Sequence, residues 1–79
     1  MIYELYPVNG RKSFYGKAVV EEDENGVKTL YSYGTPVIKR YPDGKLERLW
    51  FGWSYTTGNH IYAFCGIRKK DFDKLGEEK

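Results

Sequence analysis

Residues that bind metals, form disulfides or act as nucleophiles are scarce in this sequence. The 79 residues include one cysteine, Cys65, and one histidine, His60. A lone cysteine excludes an intramolecular disulfide, and a structural metal site needs three or four ligands. We therefore expect no metal, no cofactor and a reducing cytoplasm as the compartment.

The sequence also lacks long apolar runs and a strong excess of either charge. No segment is long and apolar enough to span a bilayer, and the first residues do not resemble a secretory signal, so we expect no membrane partner. The net charge of +2 arises from 13 basic and 11 acidic residues. This balance alone does not indicate nucleic-acid binding, and it disfavours a DNA mimic.

Nothing in the sequence has the spacing of a catalytic site. His60 and Cys65 would lie about 140° apart around a helix, so they cannot act as a base and nucleophile pair. We expect Cys65 to be buried and inert, and Thr56 or Thr57 to cap a helix. Phosphate-binding glycine motifs are absent. The sequence therefore predicts a protein that is not an enzyme.

Aromatic residues are abundant and make up 18% of the chain. Their large rings supply a small core with buried area. Exposed tyrosines also suit recognition surfaces, because a rigid ring loses little entropy on binding.

The first hairpin is predicted from Asn25-Gly26, a pair that favours a two-residue turn. With that pair at the turn centre, Glu24 opposes Val27 and Val20 opposes Tyr31. A glycine in the preceding strand, Gly16, indicates a bulge or a close ring contact.

The second hairpin is predicted from Pro42, Asp43 and Gly44, with the glycine in the left-handed region. In this register Lys39 opposes Glu47. One strand face then carries Ile38, Leu46 and three of the candidate binding residues, Arg40, Arg48 and Trp50.

After Trp53 the pattern changes to that of a helix, which we expect over residues 57–65 with Gly66 as the residue after its end. Residues 66–79 read as a polar tail, in which the spacing of Phe72 and Leu75 allows one more helical turn. The fold class is therefore α+β in a single domain, residues 1–79. An antiparallel sheet of four to five strands in two hairpins, residues 2–53, precedes one short helix and the tail.

Three segments resemble a known group of proteins: SFYGKAVV at 13–20, GVKTLYSYGTPV at 26–37 and LWFGWSYTTGNHIYAF at 49–64. They are similar to a family of small proteins, without an assigned activity, from phages and integrative elements of gut Firmicutes. The resemblance implies that Thr57, His60, Ile61 and Phe64 share one helix, which a cysteine and a glycine then shorten in this sequence. It also implies the setting in which small accessory proteins inhibit host defence, as anti-CRISPR proteins do.

Two functions follow as hypotheses. The first is a protein-binding module in the cytoplasm of a bacterial host. It would inhibit a host defence protein, such as a nucleic-acid-processing complex, by occupying its surface. The alternative is a nucleic-acid-binding accessory module that uses an Arg/Trp sheet face. The candidate binding residues are Arg40, Arg48, Trp50, Trp53, Arg68, Lys69 and Lys70. Against both stands a structural interpretation, in which Arg40 and Arg48 cover aromatic side chains at the sheet surface.

Overall fold

The computed structural model describes residues 1–6, 14 and 16–77. Seven elements follow one another along the chain: β1 (Ile2–Glu4), β2 (Ala18–Glu22), β3 (Lys28–Ser32), β4 (Thr35–Arg40), β5 (Leu46–Arg48), α1 (Tyr55–Cys65) and α2 (Lys69–Glu77). The strands form one antiparallel sheet in which each strand pairs with its neighbour in sequence. The predicted α+β fold is confirmed, with two short helices instead of one.

One face of the sheet carries the core. Ala18 pairs with Ser32, and Val20 pairs with Leu30, which in turn pairs with Ile38. All five side chains are buried on the same face. Both helices lie on this face, because the residues that contact them, on β3 and β5, belong to it. The fold therefore has one sheet layer and one helix layer.

The first hairpin turns one residue away from the predicted register. Val20 opposes Leu30 and not Tyr31. Asp23 accepts from the amide of Gly26, and its own amide donates to Val27. Gly26 has a φ of 82°, so a type I turn ends in a left-handed glycine. The Asp23 side chain also accepts two backbone amides, which favours this longer turn over the predicted one.

The second hairpin has the predicted register, with Lys39 opposite Glu47. Its turn repeats the geometry of the first, because Tyr41 accepts from the amide of Gly44, whose φ is 91°. The strand ends earlier than predicted, at Arg48. The carbonyl of Val37, at a bulge in β4, accepts from the amides of Leu49 and Trp50, the two residues after β5. The regular pairing of the sheet therefore does not continue to residue 53.

Helix α1 begins two residues before its predicted start. Its N-cap is Ser54, whose side chain accepts from the amide of Thr57 at 3.2 Å. Gly66 ends the helix, as predicted, with a φ of 76°. Strand β2 is shorter than predicted, because it begins only after Gly16, which is left-handed and does not lie within the strand. Asn9 and Gly10 also predict a turn, at residues 9–12, and this prediction falls outside the described residues.

Helix α2 corrects the prediction of a polar tail. Phe72 is fully buried and Leu75 packs against the core, which anchors one face of a helix that is otherwise polar. Neither helix in the described residues has the length and apolar character needed to cross a bilayer.

Candidate functional site

A shallow groove of about 360 Å³ between α1 and α2 brings together three of the predicted binding residues, Trp53, Arg68 and Lys69. We call it the α1–α2 groove. Its other lining residues are Tyr55, Gly58, Asn59, Tyr62 and Ile67. The lining combines aromatic and basic groups, and it includes no carboxylate among the residues that the structure describes. Trp, Tyr and Arg are the residues that most often dominate binding energy at protein interfaces.

Trp53 is held between the two helices. Its ring centroid lies 5.8 Å from that of the buried Phe72 in α2. On the other side it meets the backbone of Gly58 in α1, where an added Cβ would lie 2.8 Å from Cη2 of the indole. The glycine that weakens the helix by propensity is therefore the residue that admits the ring. Trp53 is a fixed, half-buried wall of the groove.

Arg68 is an exposed cation of the groove. Its guanidinium lies over the ring of Tyr62, 4.5 Å from the centroid. Neither Arg68 nor Lys70 forms an ion pair within the part of the chain that the structure describes. Lys69 differs, because its Nζ donates to Asp73 at 2.9 Å. Arg68 and Lys70 therefore keep charges that the described side chains of α2 do not pair with.

Arg48, a predicted binding residue, is committed to contacts inside the fold. Its side chain is 9% exposed. Its Nε donates to the carbonyl of Trp50 at 2.8 Å, and Nη1 donates to that of Phe72 at 3.1 Å. The guanidinium carbon lies 4.2 Å from the Phe72 ring centroid and 3.8 Å separates Nη1 from Asp73. The structural interpretation holds for Arg48, which joins β5 to α2.

The other two members of the predicted Arg/Trp face are separated from the groove. Trp50 is half-buried, and its ring packs over Gly52, where a Cβ would lie 2.9 Å from Cε2. Arg40 is exposed on β4 and lies near Cys65. Trp50 and Trp53 both follow the end of the sheet, and both pack against the core. No continuous Arg/Trp sheet face forms.

A buried polar cluster joins β3 to α1, and the sequence did not reveal it as a unit. The Oγ of Ser32 lies 2.8 Å from Nδ1 of His60 and 2.9 Å from Oγ1 of Thr57. His60 also packs edge-to-face on Phe14, with centroids 4.4 Å apart. Because Ser32 has one hydroxyl proton and two lone pairs, it donates to at most one of these neighbours and accepts from at least one. Burial lowers the pKa of His60 below 6.5, which favours the neutral ring.

Serine bonded to histidine is also the pairing used in nucleophilic catalysis. Here Ser32 is 3% exposed and His60 is 1% exposed. A substrate cannot reach the Ser32 hydroxyl in this arrangement. A lone histidine at a helix start predicts a structural residue with local hydrogen bonds; His60 is structural, but its partner Ser32 lies 28 positions away, on β3. The sequence signal for the cluster is a serine on the apolar face of β3, which needs a polar partner when buried.

Cys65 is half-buried instead of fully buried as predicted. Its Sγ donates to the carbonyl of Ile61 at 3.5 Å. Partial burial raises the pKa of the thiol, which disfavours the reactive thiolate. The described residues contain no group of three or more His, Cys, Asp or Glu side chains that could hold a metal ion.

The residues of the groove that sequence reasoning missed are on α1. Tyr55 is 74% exposed and Tyr62 is 36% exposed. Their seven-residue spacing places them on one helix face, two turns apart. The sequence contains this spacing, but the helix was predicted to begin at residue 57, which left Tyr55 outside it.

A second groove, of about 410 Å³, crosses the sheet face that the helices leave open. Its charged lining residues are Glu21, Asp23 and Lys39. The hydroxyl of Tyr31, which also lines it, already donates to Glu21 at 3.1 Å. This groove brings together none of the predicted binding residues.

Comparison with known proteins gives a family and no function. No curated protein and no solved structure matches the sequence. Residues 2–77 match DUF8033, described as a family of unknown function, and this match extends from β1 to the end of α2. The chain therefore belongs to the DUF8033 family of unknown function.

Proposed function

We propose that this protein is a small, non-enzymatic protein-binding module that docks on a partner protein through the α1–α2 groove. The observation that carries the proposal is the concentration of exposed Tyr55, Tyr62 and Arg68 around the fixed ring of Trp53. Rigid aromatic residues supported from behind lose little entropy when they are covered. This arrangement suits an anchor for a partner.

The groove is small compared with a complete interface. A stable protein complex buries about 800 Å² on each partner, so the contact must extend beyond the groove. The exposed outer surface of α1 and the start of α2 border it and supply adjoining area. We therefore place the centre of the interface at the groove and its rim on these two helices.

The resemblance to proteins of phages and integrative elements extends the proposal to the kind of partner. In that setting, a module that needs no catalysis acts by occupying a surface of a host defence protein. The protein would then work in the cytoplasm of a bacterial host. A partner that is itself a nucleic-acid-processing complex is compatible with the basic side of the groove.

The proposal is tested by affinity capture from a host lysate treated with nuclease. The bait is the whole protein, either unchanged or with Tyr55→Ala and Tyr62→Ala together. The matched control carries Tyr3→Ala and Tyr6→Ala, which remove two other exposed tyrosines near the start of the chain. Circular dichroism verifies that each bait is folded.

We expect one host protein to be retained in stoichiometric amount by the unchanged and control baits and lost with the groove variant. Reconstitution with that purified protein must then give the same order of affinities. Retention by the groove variant, or loss of the partner on nuclease treatment alone, would contradict the proposal.

A further inference from the structure

We infer that the partner segment received by the α1–α2 groove is acidic, with a carboxylate that pairs with Arg68 beside an apolar or aromatic side chain. This inference rests on the proposed function and adds the chemistry of the partner. The groove is lined by Arg68 and Lys69, and none of the described residues that line it carries a carboxylate. A third basic residue, Lys70, follows these two directly in the sequence and is exposed.

Within the described chain, only one acidic side chain neutralises this basic run. Asp73 accepts from Lys69 at 2.9 Å and also lies 3.8 Å from Arg48. One carboxylate is thus shared by two cations. Arg68 and Lys70 have no such partner among the described residues. The positive charge left at the groove complements a negatively charged segment.

The position of Arg68 suits recognition of a carboxylate. Its guanidinium carbon lies over the Tyr62 ring. An arginine stacked on an aromatic ring keeps its in-plane N–H groups available for a bidentate carboxylate. The ring also restricts the long side chain before binding, which lowers the entropy lost when the ion pair forms. No described group accepts a hydrogen bond from this guanidinium.

The same rings are poorly placed for nucleic acid. Stacking of bases needs open ring faces. The Trp53 ring is covered by Gly58 on α1 and lies beside Phe72, and one face of Tyr62 is covered by Arg68. The groove therefore presents aromatic edges and a cation, with little open ring face on which a base could stack. This favours protein side chains as its occupant.

The test is a selection of random 16-residue peptides displayed on phage against the immobilised whole protein. Selected peptides are synthesised and measured by fluorescence anisotropy at low and at physiological salt. They are measured against the unchanged protein, Arg68→Glu and Tyr55→Ala. The matched controls are Lys45→Glu, an equal charge reversal at the exposed β4–β5 turn, and Tyr6→Ala. A 15-nucleotide oligothymidine is measured in parallel.

We expect the selected peptides to share an aspartate or glutamate next to an apolar residue. Arg68→Glu should weaken their binding about tenfold or more, the size expected for loss of a charge-assisted hydrogen bond. Tyr55→Ala should also weaken it, whereas both controls should leave it unchanged. Replacement of the peptide carboxylates by amides should reproduce the effect of Arg68→Glu.

The contrary outcomes separate this inference from the proposed function. Peptides that need Tyr55 but bind equally well to Arg68→Glu would overturn the acidic partner and leave a protein-binding groove. Peptides insensitive to both groove variants, or no selected peptides, would overturn both. Oligothymidine that binds more tightly than every peptide at physiological salt would assign the groove to nucleic acid instead.

Discussion

His60 shows how one buried polar residue can define the packing of a helix on a sheet. A buried imidazole without a partner would destabilise the fold, and Ser32 supplies that partner at 2.8 Å. Thr57, one turn earlier on α1, bonds to the same hydroxyl. Sliding α1 along β3 would break both contacts, so the cluster favours a single position of the helix.

The lowered pKa of His60 predicts a loss of stability in mild acid. Because its pKa in the folded protein lies below 6.5, the unfolded chain binds the proton first. The free energy of unfolding should therefore be full above pH 6.5 and fall as pH decreases through that value towards the folded pKa. Urea unfolding from pH 7.5 to about 5 measures this slope.

His60→Asn provides the control, because an amide can still bond to Ser32 but does not titrate. Its overall stability should be lower, since contacts with Phe14 are lost. Its pH slope in this range should be smaller than that of the unchanged protein. Equal slopes would show that other groups cause the acid sensitivity.

Gly58 predicts an inverted response to a substitution that normally stabilises helices. Alanine in place of a helical glycine gains about 1 kcal/mol from propensity. Here the added Cβ would lie 2.8 Å from Cη2 of Trp53, and overpacking costs about 1–3 kcal/mol. Gly58→Ala should therefore destabilise the protein in thermal unfolding.

The double substitution separates the two contributions to this effect. In a Trp53→Leu background the ring is absent, and Gly58→Ala should become neutral or stabilising. The coupling energy between the sites should be about 1 kcal/mol or more. Additive effects would mean that the glycine is needed for some other reason.

At the scale of elements, turn chemistry predicted where the hairpins lie but not the register of both. In both hairpins a type I turn is followed by a left-handed glycine, Gly26 or Gly44. The sequence predicted this geometry only for the second hairpin, where Pro42 precedes Asp43. Asn25-Gly26 instead suggested a shorter turn, and one residue of slip followed. The contacts that decide the turn are those between the Asp23 carboxylate and the amides of Asn25 and Val27. A prediction from the Asn-Gly pair alone does not take them into account.

The two turn glycines form a matched pair for a stability test. Both have positive φ, so alanine at either site should cost about 1–2 kcal/mol. A Cβ at Gly26 would also lie 3.2 Å from Cγ of Pro42, whereas one at Gly44 meets nothing within 4 Å. Gly26→Ala should therefore destabilise at least as much as Gly44→Ala in urea unfolding.

Asparagine tests whether φ is the cause, because it tolerates the left-handed region better than alanine does. Gly44→Asn should be more stable than Gly44→Ala. The opposite order would indicate that the turn changes conformation instead of straining.

Helix α2 was missed because its apolar periodicity is short. Only Phe72 and Leu75 mark the buried face, and they are surrounded by charged residues. The contacts that stabilise α2 come from residues elsewhere in the chain, above all from Arg48 on β5. A contact between residues 24 positions apart is not visible in local sequence.

Arg48→Met should destabilise the protein by about 3 kcal/mol, because it removes the charged donor from two nearly buried carbonyls. Hydrogen exchange should increase first at the amides of α2. Arg40→Met is the matched control, and this exposed change should stay within about 0.5 kcal/mol. Equal effects of the two substitutions would contradict the role of Arg48 in docking α2.

At the scale of the whole molecule, five of the seven candidate binding residues divide between two tasks, and Arg40 and Lys70 are exposed outside both sets. Arg48 and Trp50 complete the fold, while Trp53, Arg68 and Lys69 meet at the α1–α2 groove. Sequence reasoning selected them by residue type, which does not distinguish a cation that seals a core from one that faces a ligand. Only the position of α2 makes that distinction, and α2 was the element the sequence described least well.

The salt dependence of binding tests which class of partner the molecule as a whole accepts. If nucleic acid is the ligand, each neutralised phosphate releases counterions, and affinity falls steeply as salt rises. Replacing Arg68 and Lys70 by glutamine should then lower the magnitude of the logarithmic slope by about two. If a protein is the partner, we expect its affinity to depend only weakly on salt, mainly through the association rate constant. Tyr55→Ala should then reduce affinity more than the double charge change does, because an aromatic anchor contributes at any salt concentration.

Titrations of the captured partner and of oligothymidine between 0.05 and 0.5 M salt, roughly the range in which counterion release dominates, distinguish the two cases. Because Arg48 is withdrawn into the fold and Lys69 is paired with Asp73, too few free cations remain in line for a phosphate track, and we expect the shallow slope.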